Sequence, residues 1–469
     1  MNGIVQKLGI TNKIMMQTLL SFIILFFIPS IILSDPISGN IDTDFAINGE
    51  LNLTELLAQL PNPTNYVGAT PVAVLPMADG SQYVSFNVPD PALYSFIAKF
   101  TNENILDTSY GTNGISGSSI FGLNSMMMDG SGRLLISCDT GRGYNLIYRY
   151  VAGGIDNNFP NGTGLVVPGG GKKTILQQSM GRYVINGLTT ENYGALYACN
   201  ESGYTDTTFN ANAENPGVFQ FDIQTPINAV VADEYDRLIF ATRNPNDSII
   251  YITRLTSTGQ LDLTFGDNDS GSIATTITDA TTDSIFITLD AAGNIVVATK
   301  IGATIACACY ENTIGTTEVY SLLLDNSTVT ANATITDVIA SADGNILLSA
   351  WLSDEGDMWV ARITSAGLLD ATGFNANLAY GNVAGFMQFS FDNAATVRNL
   401  NSIAIYPDGT ISMVGTETGS SITAFMSRAY NTPDTTQESI CLTSQPVGTN
   451  DTTLGIQTPQ QMHFSLQPL

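Results

Sequence analysis

The chain has 469 residues, of which 44% are hydrophobic and only 12% are charged, and its formal net charge is −26. This length exceeds the usual size of a single hydrophobic core, so the chain must form several domains or one repetitive array. Such a negative surface repels phosphate backbones, which argues against nucleic acid as a partner. The apolar content and the 43 glycines favour a β-rich, turn-rich globular protein over a disordered one.

Residues 14–33 form an uncharged apolar run, IMMQTLLSFIILFFIPSIIL, preceded by Lys7 and Lys13. A basic start followed by an apolar stretch is typical of an export signal, and about 20 apolar residues can also span a bilayer as a helix. Ser34 suits the last position before a cleavage site, whereas Ile32 is a poor residue two positions earlier. We therefore expect residues 1–34 to be a cleaved signal peptide or a retained membrane anchor. Either would make the protein secreted, periplasmic or bound to the cell surface.

A Leu-Asp pair followed by an aromatic residue recurs along the chain, most clearly in GQLDLTFGDNDSG at residues 259–271. We call each copy an LD loop. The copies are Ile41-Asp42 with Phe45, Leu106-Asp107 with Tyr110, Ile155-Asp156 with Phe159, Thr205-Asp206 with Phe209, Leu261-Asp262 with Phe265, and Leu369-Asp370 with Phe374. The last two aspartates are 108 residues apart, about twice the usual spacing, which predicts a degenerate copy near Leu324-Asp325.

Two further patterns run in step with the LD loops. A turn followed by an apolar strand starts at residues 78, 129, 179, 233, 290, 342 and 407, and its Gly, or Asp236 in one copy, should adopt the left-handed conformation. A second apolar strand follows, and in five copies it carries a basic residue near its end: Lys99, Arg149, Arg254, Arg362 and Arg428. We assign LYACN at 196 and YSLLL at 320 to the two remaining copies of this strand.

A repeat of about 55 residues with several short strands suits the blade of a β-propeller. The first LD loop, at Asp42, precedes the first turn pattern at residue 78, and no LD loop follows Arg428. A strand within residues 40–55 should therefore complete the last blade. We predict an all-β, seven-bladed β-propeller over residues 35–436, closed by this N-terminal strand. A C-terminal tail, residues 437–469, should be partly ordered at most, and we expect a monomer.

The turns, the apolar strands ending in Ala-Arg, and the G-x-L-D-x-x-F-G loops together resemble the delta-60 repeat family. The resemblance covers residues 39–436; it is strongest at 259–266 and 342–348, and weakest at 305–332. It implies a β-propeller-like fold and export, and it brings no catalytic residues. We assign no catalytic, cofactor-binding or metal-binding residue, and we expect no cofactor.

The recurring Asp could belong to a metal or proton-transfer site, but a short carboxylate in such a loop usually binds backbone N–H groups and holds the turn. An exposed ion pair between this Asp and the repeated Lys or Arg would be worth about 0–1 kcal/mol, against about 1.5–3 kcal/mol for burial of the Phe. Phe265→Ala should then destabilise more than Asp262→Asn. The repeated basic residues could bind an anion at the central channel, but we favour contacts between blades.

Other candidate sites are weaker. GDNDSG at 266–271 resembles a calcium loop but lacks the closing Glu, and VPGGGKKT at 167–174 lacks phosphate-loop spacing and is interpreted as a flexible hairpin. The five cysteines, at 138, 199, 307, 309 and 441, are interpreted as small buried residues, with one disulfide or a Cys307/Cys309 metal site as alternatives. Trp351 and Trp359 fit core packing better than a sugar platform. His463 is the only histidine, which excludes a Ser-His-Asp triad unless the tail folds back.

These observations favour an exported, non-enzymatic module that binds an unknown protein or glycan and touches membrane only through an uncleaved N-terminal segment. One alternative is a hydrolase or lyase that acts on polysaccharide with paired carboxylates in the central funnel. Another is a structural envelope protein anchored by the N-terminal helix. Acidic residues that break the repeat pattern at the funnel would favour the enzyme.

Overall fold

The structure is a computed structural model, and it describes residues 40–42, 45–46, 50–89, 94–118, 122–160, 162–169, 173–222, 224–280, 284–324, 330, 333–352, 358–376, 378, 383–389, 397–418 and 421–431. The predicted export segment, the tail at 437–469, Cys441 and His463 lie outside these residues. Among the helices within these ranges, none is long and apolar enough to cross a membrane.

The described strands form seven separate antiparallel sheets, which are the blades of a β-propeller. The chain starts with β1 (Glu50–Asn52) and helix α1 (Leu53–Leu57), followed by a 3-10 turn (Pro63–Tyr66). Blade 1 contains β2 (Thr70–Pro76), β3 (Gln82–Val88), β4 (Tyr94–Phe100) and β5 (Ile115–Ser118). Blade 2 contains β6 (Leu123–Met128), β7 (Leu134–Asp139), β8 (Tyr144–Val151), the short β9 (Gly154–Ile155) and β10 (Leu165–Pro168). Blade 3 contains β11 (Ile175–Gln177), β12 (Tyr183–Leu188), β13 (Gly194–Cys199) and β14 (Val218–Gln220).

Blade 4 contains β15 (Val230–Ala232), β16 (Leu238–Arg243), β17 (Ile250–Leu255) and β18 (Ser272–Ala274), with a 3-10 turn at Asp267–Asp269. Blade 5 contains β19 (Ile285–Leu289), β20 (Ile295–Ile301), β21 (Thr304–Tyr310) and β22 (Glu318–Leu324). Blade 6 contains β23 (Ala333–Ala340), β24 (Ile346–Leu352), β25 (Met358–Ile363) and β26 (Phe386–Phe389). Blade 7 contains β27 (Val397–Ile405), β28 (Ile411–Thr418) and β29 (Ile422–Ala429), and β1 is its fourth strand.

The N-terminal strand closes the ring, as predicted. β1 pairs with β29 in antiparallel register, with Glu50 opposite Ser427 and Asn52 opposite Phe425. Beside this pair, the N–H of Asp42 donates to the carbonyl of Arg428 at 2.9 Å. The innermost strand of blade 1, β2, contacts both β27 and β6, so blade 1 packs against the last blade as well as the second. Closure removes the two open faces that an incomplete array would expose.

The turns between the first two strands of each blade explain the recurring Gly. Each has one residue with a φ between 59° and 88°: Gly80, Gly132, Gly181, Asp236, Gly293, Gly344 and Gly409. Such a φ strains residues that carry a Cβ, although Asp and Asn tolerate it better than most. The predicted left-handed conformation is confirmed in all seven turns.

The core lies mainly between adjacent blades. Ile239 of blade 4 and Val297 of blade 5 belong to one buried cluster, and Leu347 of blade 6 and Met413 of blade 7 belong to another. Trp359 is fully buried, and Trp351 is partly buried against the cluster between blades 6 and 7. The core interpretation of the tryptophans is therefore confirmed. The four described cysteines are buried and free, as expected for small core residues.

Two assignments made from the sequence are wrong. YSLLL lies in the outermost strand of blade 5, β22, and the third strand is β21, where Cys309 stands opposite Val296 as Arg254 stands opposite Ile239 in blade 4. Leu324 ends β22 and so does not lie in the loop between β21 and β22, which contains no Asp; Asp325 lies outside the described residues. Blade 5 lacks both the basic residue and the LD loop, so its strands could be placed only from the spacing of the repeats.

The strands on either side of VPGGGKKT belong to different blades, since β10 pairs with β8 in blade 2 and β11 pairs with β12 in blade 3, so they do not form a hairpin with each other. Residues 170–172 lie outside the described residues. Lys173 is buried, and burial lowers the pKa of Lys173 to about 8 although Asp139 acts in the opposite direction.

Candidate functional site

In blades 1, 2, 3, 4 and 6 the LD loop joins the third and fourth strands, and in blade 7 it precedes the fourth strand, β1; its Asp binds a basic side chain of the same blade. The pairs are Lys99–Asp107 at 2.8 Å, Arg149–Asp156 at 2.7 Å, Arg254–Asp262 at 2.8 Å, Arg362–Asp370 at 2.7 Å and Arg428–Asp42 at 2.7 Å. In blade 3, Ala198 takes the usual basic position, and Arg182 from the preceding turn binds Asp206 at 2.6 Å. The sequence patterns did not reveal this replacement.

The Asp also holds the loop. Oδ1 of Asp262 accepts the N–H of Thr264 at 3.1 Å, and Oδ1 of Asp107 accepts that of Ser109 at 3.1 Å. Hydrogen bonds from Lys99 and then from Ser109 lower the pKa of Asp107 to about 2. Burial raises the pKa of Asp262, but hydrogen bonds from Thr264 and the charge of Arg254 outweigh burial and lower it overall. The interpretation of the Asp as a turn-holding residue is confirmed.

The arginines of these loops also bind the following blade. Nη1 of Arg182 donates to the carbonyl of Ser257 at 2.8 Å, and Nη1 of Arg362 contacts Oδ1 of Asn431 at 3.4 Å. Arg149 binds the carbonyl of Glu201 and Arg254 that of Asn312 in the same way. The interpretation as contacts between blades is therefore confirmed for Arg149, Arg254 and Arg362.

The ion pairs of blades 2, 3, 4 and 6 are largely buried, so the expectation of exposed pairs is wrong for them, whereas the side chains of Lys99 and Arg428 are 21% and 27% exposed. The side chain of Arg254 is 0% exposed and that of Asp262 is 9% exposed. The guanidinium lies over the ring of Phe265, with Cζ 4.5 Å from the ring centroid. Ion pair and aromatic ring thus form one buried unit, so removal of either Asp262 or Arg254 alone would leave the other charge buried without its partner, which is strongly destabilising.

Glycine makes the contact between neighbouring LD loops possible. The Gly three residues before the Asp packs on the aromatic ring of the preceding blade, and a Cβ at Gly259 would lie 2.4 Å from the ring of Phe209. Gly203 meets Phe159 and Gly367 meets Tyr320 of β22 in the same manner. Tyr320 therefore replaces the missing LD-loop Phe of blade 5.

The junction between blades 7 and 1 departs from this arrangement. Asn104, with a φ of 62°, stands where the other loops have Gly, opposite Phe45 of blade 7. A groove of about 510 Å³ lies here, lined by Asp42, Phe45, Ala46, Asn102, Glu103, Asn104, Arg428 and Tyr430. This volume lies within the range of small-ligand sites. We call it the junction groove.

Arg428 presents a free edge in the junction groove. Its side chain is 27% exposed, whereas those of Arg149, Arg182, Arg254 and Arg362 are 0–4% exposed. Nε and Nη2 bind Asp42, which also accepts the hydroxyl of Tyr430 at 2.8 Å. Within the described residues Nη1 has no acceptor in blade 1. Among the described residues, the Arg428 donor that corresponds to those binding a carbonyl of the next blade therefore has no such partner.

A second departure from the repeat lies in blade 7. Arg398 of β27 binds Glu50 of β1 at 2.7 Å and Glu417 of β28 at 2.9 Å, and its side chain is 7% exposed. Its Cζ lies 4.9 Å from the ring centroid of Phe425. These two carboxylates break the repeat pattern, but they share one guanidinium. Sequence spacing could not find the set, because its members come from both ends of the chain.

A metal site finds no support in the ranges that the structure describes, because they contain no group of three or more His, Cys, Asp or Glu suited to a metal ion. The calcium-like stretch at 266–271 follows the LD-loop Phe of blade 4, and Cys307 and Cys309 lie in β21 without further ligands in those ranges. Burial raises the pKa of the Cys307 thiol to about 12, which opposes the thiolate that metal binding requires.

No family model and no curated protein sequence matches this chain. Among solved structures, the BP39L lectin from Burkholderia pseudomallei is 10% identical with a TM-score of 0.43, covering 76% of this chain and 99% of the lectin. The polysaccharide lyase Uly1 is 9% identical with a TM-score of 0.43, covering 76% of this chain and 89% of the lyase. Prolyl oligopeptidase B from Galerina marginata is 10% identical with a TM-score of 0.42, and the match covers 75% of this chain but 47% of that enzyme. At these identities the likeness concerns the fold alone.

Proposed function

We propose that the protein is an exported, non-enzymatic binding module that holds part of a protein or glycan ligand in the junction groove. The observation that carries the proposal is the free edge of Arg428, where the matching arginines of other blades bind a carbonyl of their neighbour. The recurring ion pairs hold the ring together, so they supply no repeated catalytic set. Export rests on the apolar run at residues 14–33.

The charges around the groove favour neutral polar groups on the ligand. Asp42 neutralises Arg428, and the exposed Glu103 adds a negative charge at the rim. A carbonyl or hydroxyl oxygen can accept from Nη1 without the repulsion that an anionic ligand would meet on a chain of net charge −26. Amide and hydroxyl groups are common to peptides and glycans, and a binding screen should therefore cover both.

The test is a screen of the full chain against glycans and cell-surface proteins, repeated with Glu103→Trp. The new ring should fill the groove and lower affinity at least tenfold. Thr258→Trp is the matched control, because Thr258 is the equivalent exposed residue in the LD loop of blade 4. Glu103→Gln separates the loss of charge from the added bulk. Unchanged binding by Glu103→Trp would contradict the proposed site.

A polysaccharide hydrolase or lyase is the second candidate, because Glu50 and Glu417 are paired acids outside the repeat pattern. Their shared ion pair with Arg398 argues against it, since contacts of 2.7 and 2.9 Å already engage both carboxylates with one guanidinium of the protein. Turnover of an acidic or neutral polysaccharide that Glu417→Gln abolishes, without a change in melting temperature, would establish the enzyme. A purely structural, anchored role predicts instead that the chain stays with membranes after a carbonate wash and binds no ligand.

A further inference from the structure

One face of the ring carries both the LD loops and the turns between the first and second strands of the blades. Consecutive strands of each blade are antiparallel, so these two connections lie at the same end of the blade. They also touch across blades. Nε2 of Gln178, in the turn of blade 3, donates to the carbonyl of Asp236 at 2.6 Å and to that of Ser257 at 3.0 Å, in the turn and the LD loop of blade 4. We call this side of the ring the LD face.

Exposed apolar side chains are concentrated on the LD face. Blades 1–6 each place a large one, 49–65% exposed, at the end of the third strand or in the loop that follows it: Ile105, Val151, Tyr204, Leu263, Ile314 and Leu368. The turns of blades 3 and 4 add Met180 at 63% and Tyr235 at 65%. On the opposite face, the large hydrophobic side chains exposed within the described residues are Val67 and Ile422.

The loops that carry these side chains form a continuous belt. The N–H of Asn210 in blade 3 donates to the carbonyl of Thr258 in blade 4 at 2.7 Å, and the N–H of Gly266 donates to the carbonyl of Ile314 in blade 5 at 2.7 Å. Close glycine contacts join the remaining neighbours, from blade 1 to blade 6: Gly153 with Gly111, Gly203 with Phe159, and Gly367 with Tyr320. Single exposed apolar residues are normal on a protein surface, whereas a belt shared by six blades marks an interaction surface.

The described chain also begins on the LD face. The carbonyl of Asn40 accepts the N–H of Tyr430 at 2.9 Å, beside the ion pair of Asp42 with Arg428. The apolar run at 14–33 ends seven residues before Asn40, and seven residues span at most about 25 Å. The opposite face lies one strand length further, and a strand of seven residues is itself about 23 Å long. A retained run at 14–33 would therefore hold the LD face toward the bilayer.

We propose that residues 14–33 are retained as a membrane anchor and that the LD face docks on the bilayer, with the apolar belt in the headgroup layer. The exposed Tyr204 and Tyr235 suit this layer, because a tyrosine has an apolar ring and a polar hydroxyl. Eight of the 16 basic residues of the chain lie on this face, and each is paired with an Asp at 2.6–2.8 Å, so the pairs add little net charge. The exposed Glu103 and Glu234 remain negative, so the face fits zwitterionic rather than anionic lipid.

The junction groove lies on the same face, because its lining comes from the LD loops of blades 7 and 1. A ligand bound there would therefore lie at the membrane surface; this consequence rests on the proposed function. Docking itself can be tested without any ligand, so failure of the groove and failure of the docking are distinguishable.

The test reconstitutes the full chain in phosphatidylcholine vesicles and places a tryptophan on the belt. The fluorescence of Leu263→Trp should fall about twofold when the acyl chains are brominated close to the headgroup, because docked apolar side chains enter this layer and bromine quenches nearby indoles. Val67→Trp is the matched control, because Val67 is 69% exposed on the opposite face and its fluorescence should not change. The parent chain gives the background signal of Trp351 and Trp359.

Two further variants test whether the whole belt meets the bilayer. Ile105→Trp in blade 1 and Leu368→Trp in blade 6 should be quenched as Leu263→Trp is, and all variants should melt at the temperature of the parent because the replaced side chains are exposed. Equal quenching of Leu263→Trp and Val67→Trp, quenching confined to one blade, or no quenching on the belt would overturn the proposal. A membrane-bound chain that begins after residue 34 would equally contradict the retained anchor.

Discussion

Replacing Gly259 with Ala tests the contact that joins neighbouring LD loops. Gly259 has a φ of 82°, and a Cβ there would lie 2.4 Å from the ring of Phe209. The left-handed conformation costs a residue with a Cβ about 1–2 kcal/mol. Forcing an extra carbon into a filled core costs about 1–3 kcal/mol more. We therefore expect Gly259→Ala to lower the free energy of unfolding by about 2–5 kcal/mol.

Gly293→Ala is the matched control, because Gly293 has a φ of 81° and open space around its would-be Cβ. It should carry only the conformational cost of about 1–2 kcal/mol. The loss of unfolded-state freedom on changing Gly to Ala is common to both variants and cancels in the comparison. The difference between them, about 1–3 kcal/mol, then measures the clash alone.

Urea unfolding of the two variants under the same conditions measures this difference. A shorter side chain at the neighbouring ring should relieve the clash, so Phe209→Leu combined with Gly259→Ala should lose less stability than the sum of the single changes. Equal losses for Gly259→Ala and Gly293→Ala, or strict additivity in the double variant, would refute the assigned role of this glycine.

Three further predictions concern the same loops. Phe265→Ala should lower the free energy of unfolding by about 3–5 kcal/mol because it leaves a cavity, and Asp262→Asn should lower it by a similar amount because the buried Arg254 loses its counter-ion. If urea unfolding of Asp262→Asn shows a loss below about 0.5 kcal/mol, the pair is not buried as described. The pKa of Asp107 is lowered from 3.8 to about 2, so its contribution to stability is complete above about pH 4 and is lost as the pH falls toward 2. Asp107→Asn should therefore flatten the plot of unfolding free energy against pH in this range, and an unchanged slope would exclude the pair with Lys99 as its source. Asn104→Gly should bring blade 1 closer to Phe45 and raise the melting temperature. Asn192→Gly, at a φ of 65° in a turn of blade 3, controls for the backbone effect alone, and equal gains in melting temperature would show that Asn104 does not hold the junction groove open.

The architecture could be predicted from the sequence because its patterns repeat. Seven turns with a Gly or Asp236 predicted seven hairpins, and an LD loop at Asp42 that precedes the first of these turns predicted closure by an N-terminal strand. Both follow from local chemistry, because a positive φ favours few residue types and each blade must repeat the same contacts. The pattern failed in blade 5, where Cys309 and a loop without Asp removed the markers that placed strands elsewhere.

The candidate site depended on tertiary structure. Asn104 is one of many Asn residues in the sequence, and only its position opposite Phe45 shows that a glycine contact between blades is missing. The burial of Arg254 and the bridge from Arg398 to Glu50 depend on which segments become neighbours in the folded ring. A local sequence pattern determines how each blade folds, but burial and charge pairing are properties of the surfaces that two blades share.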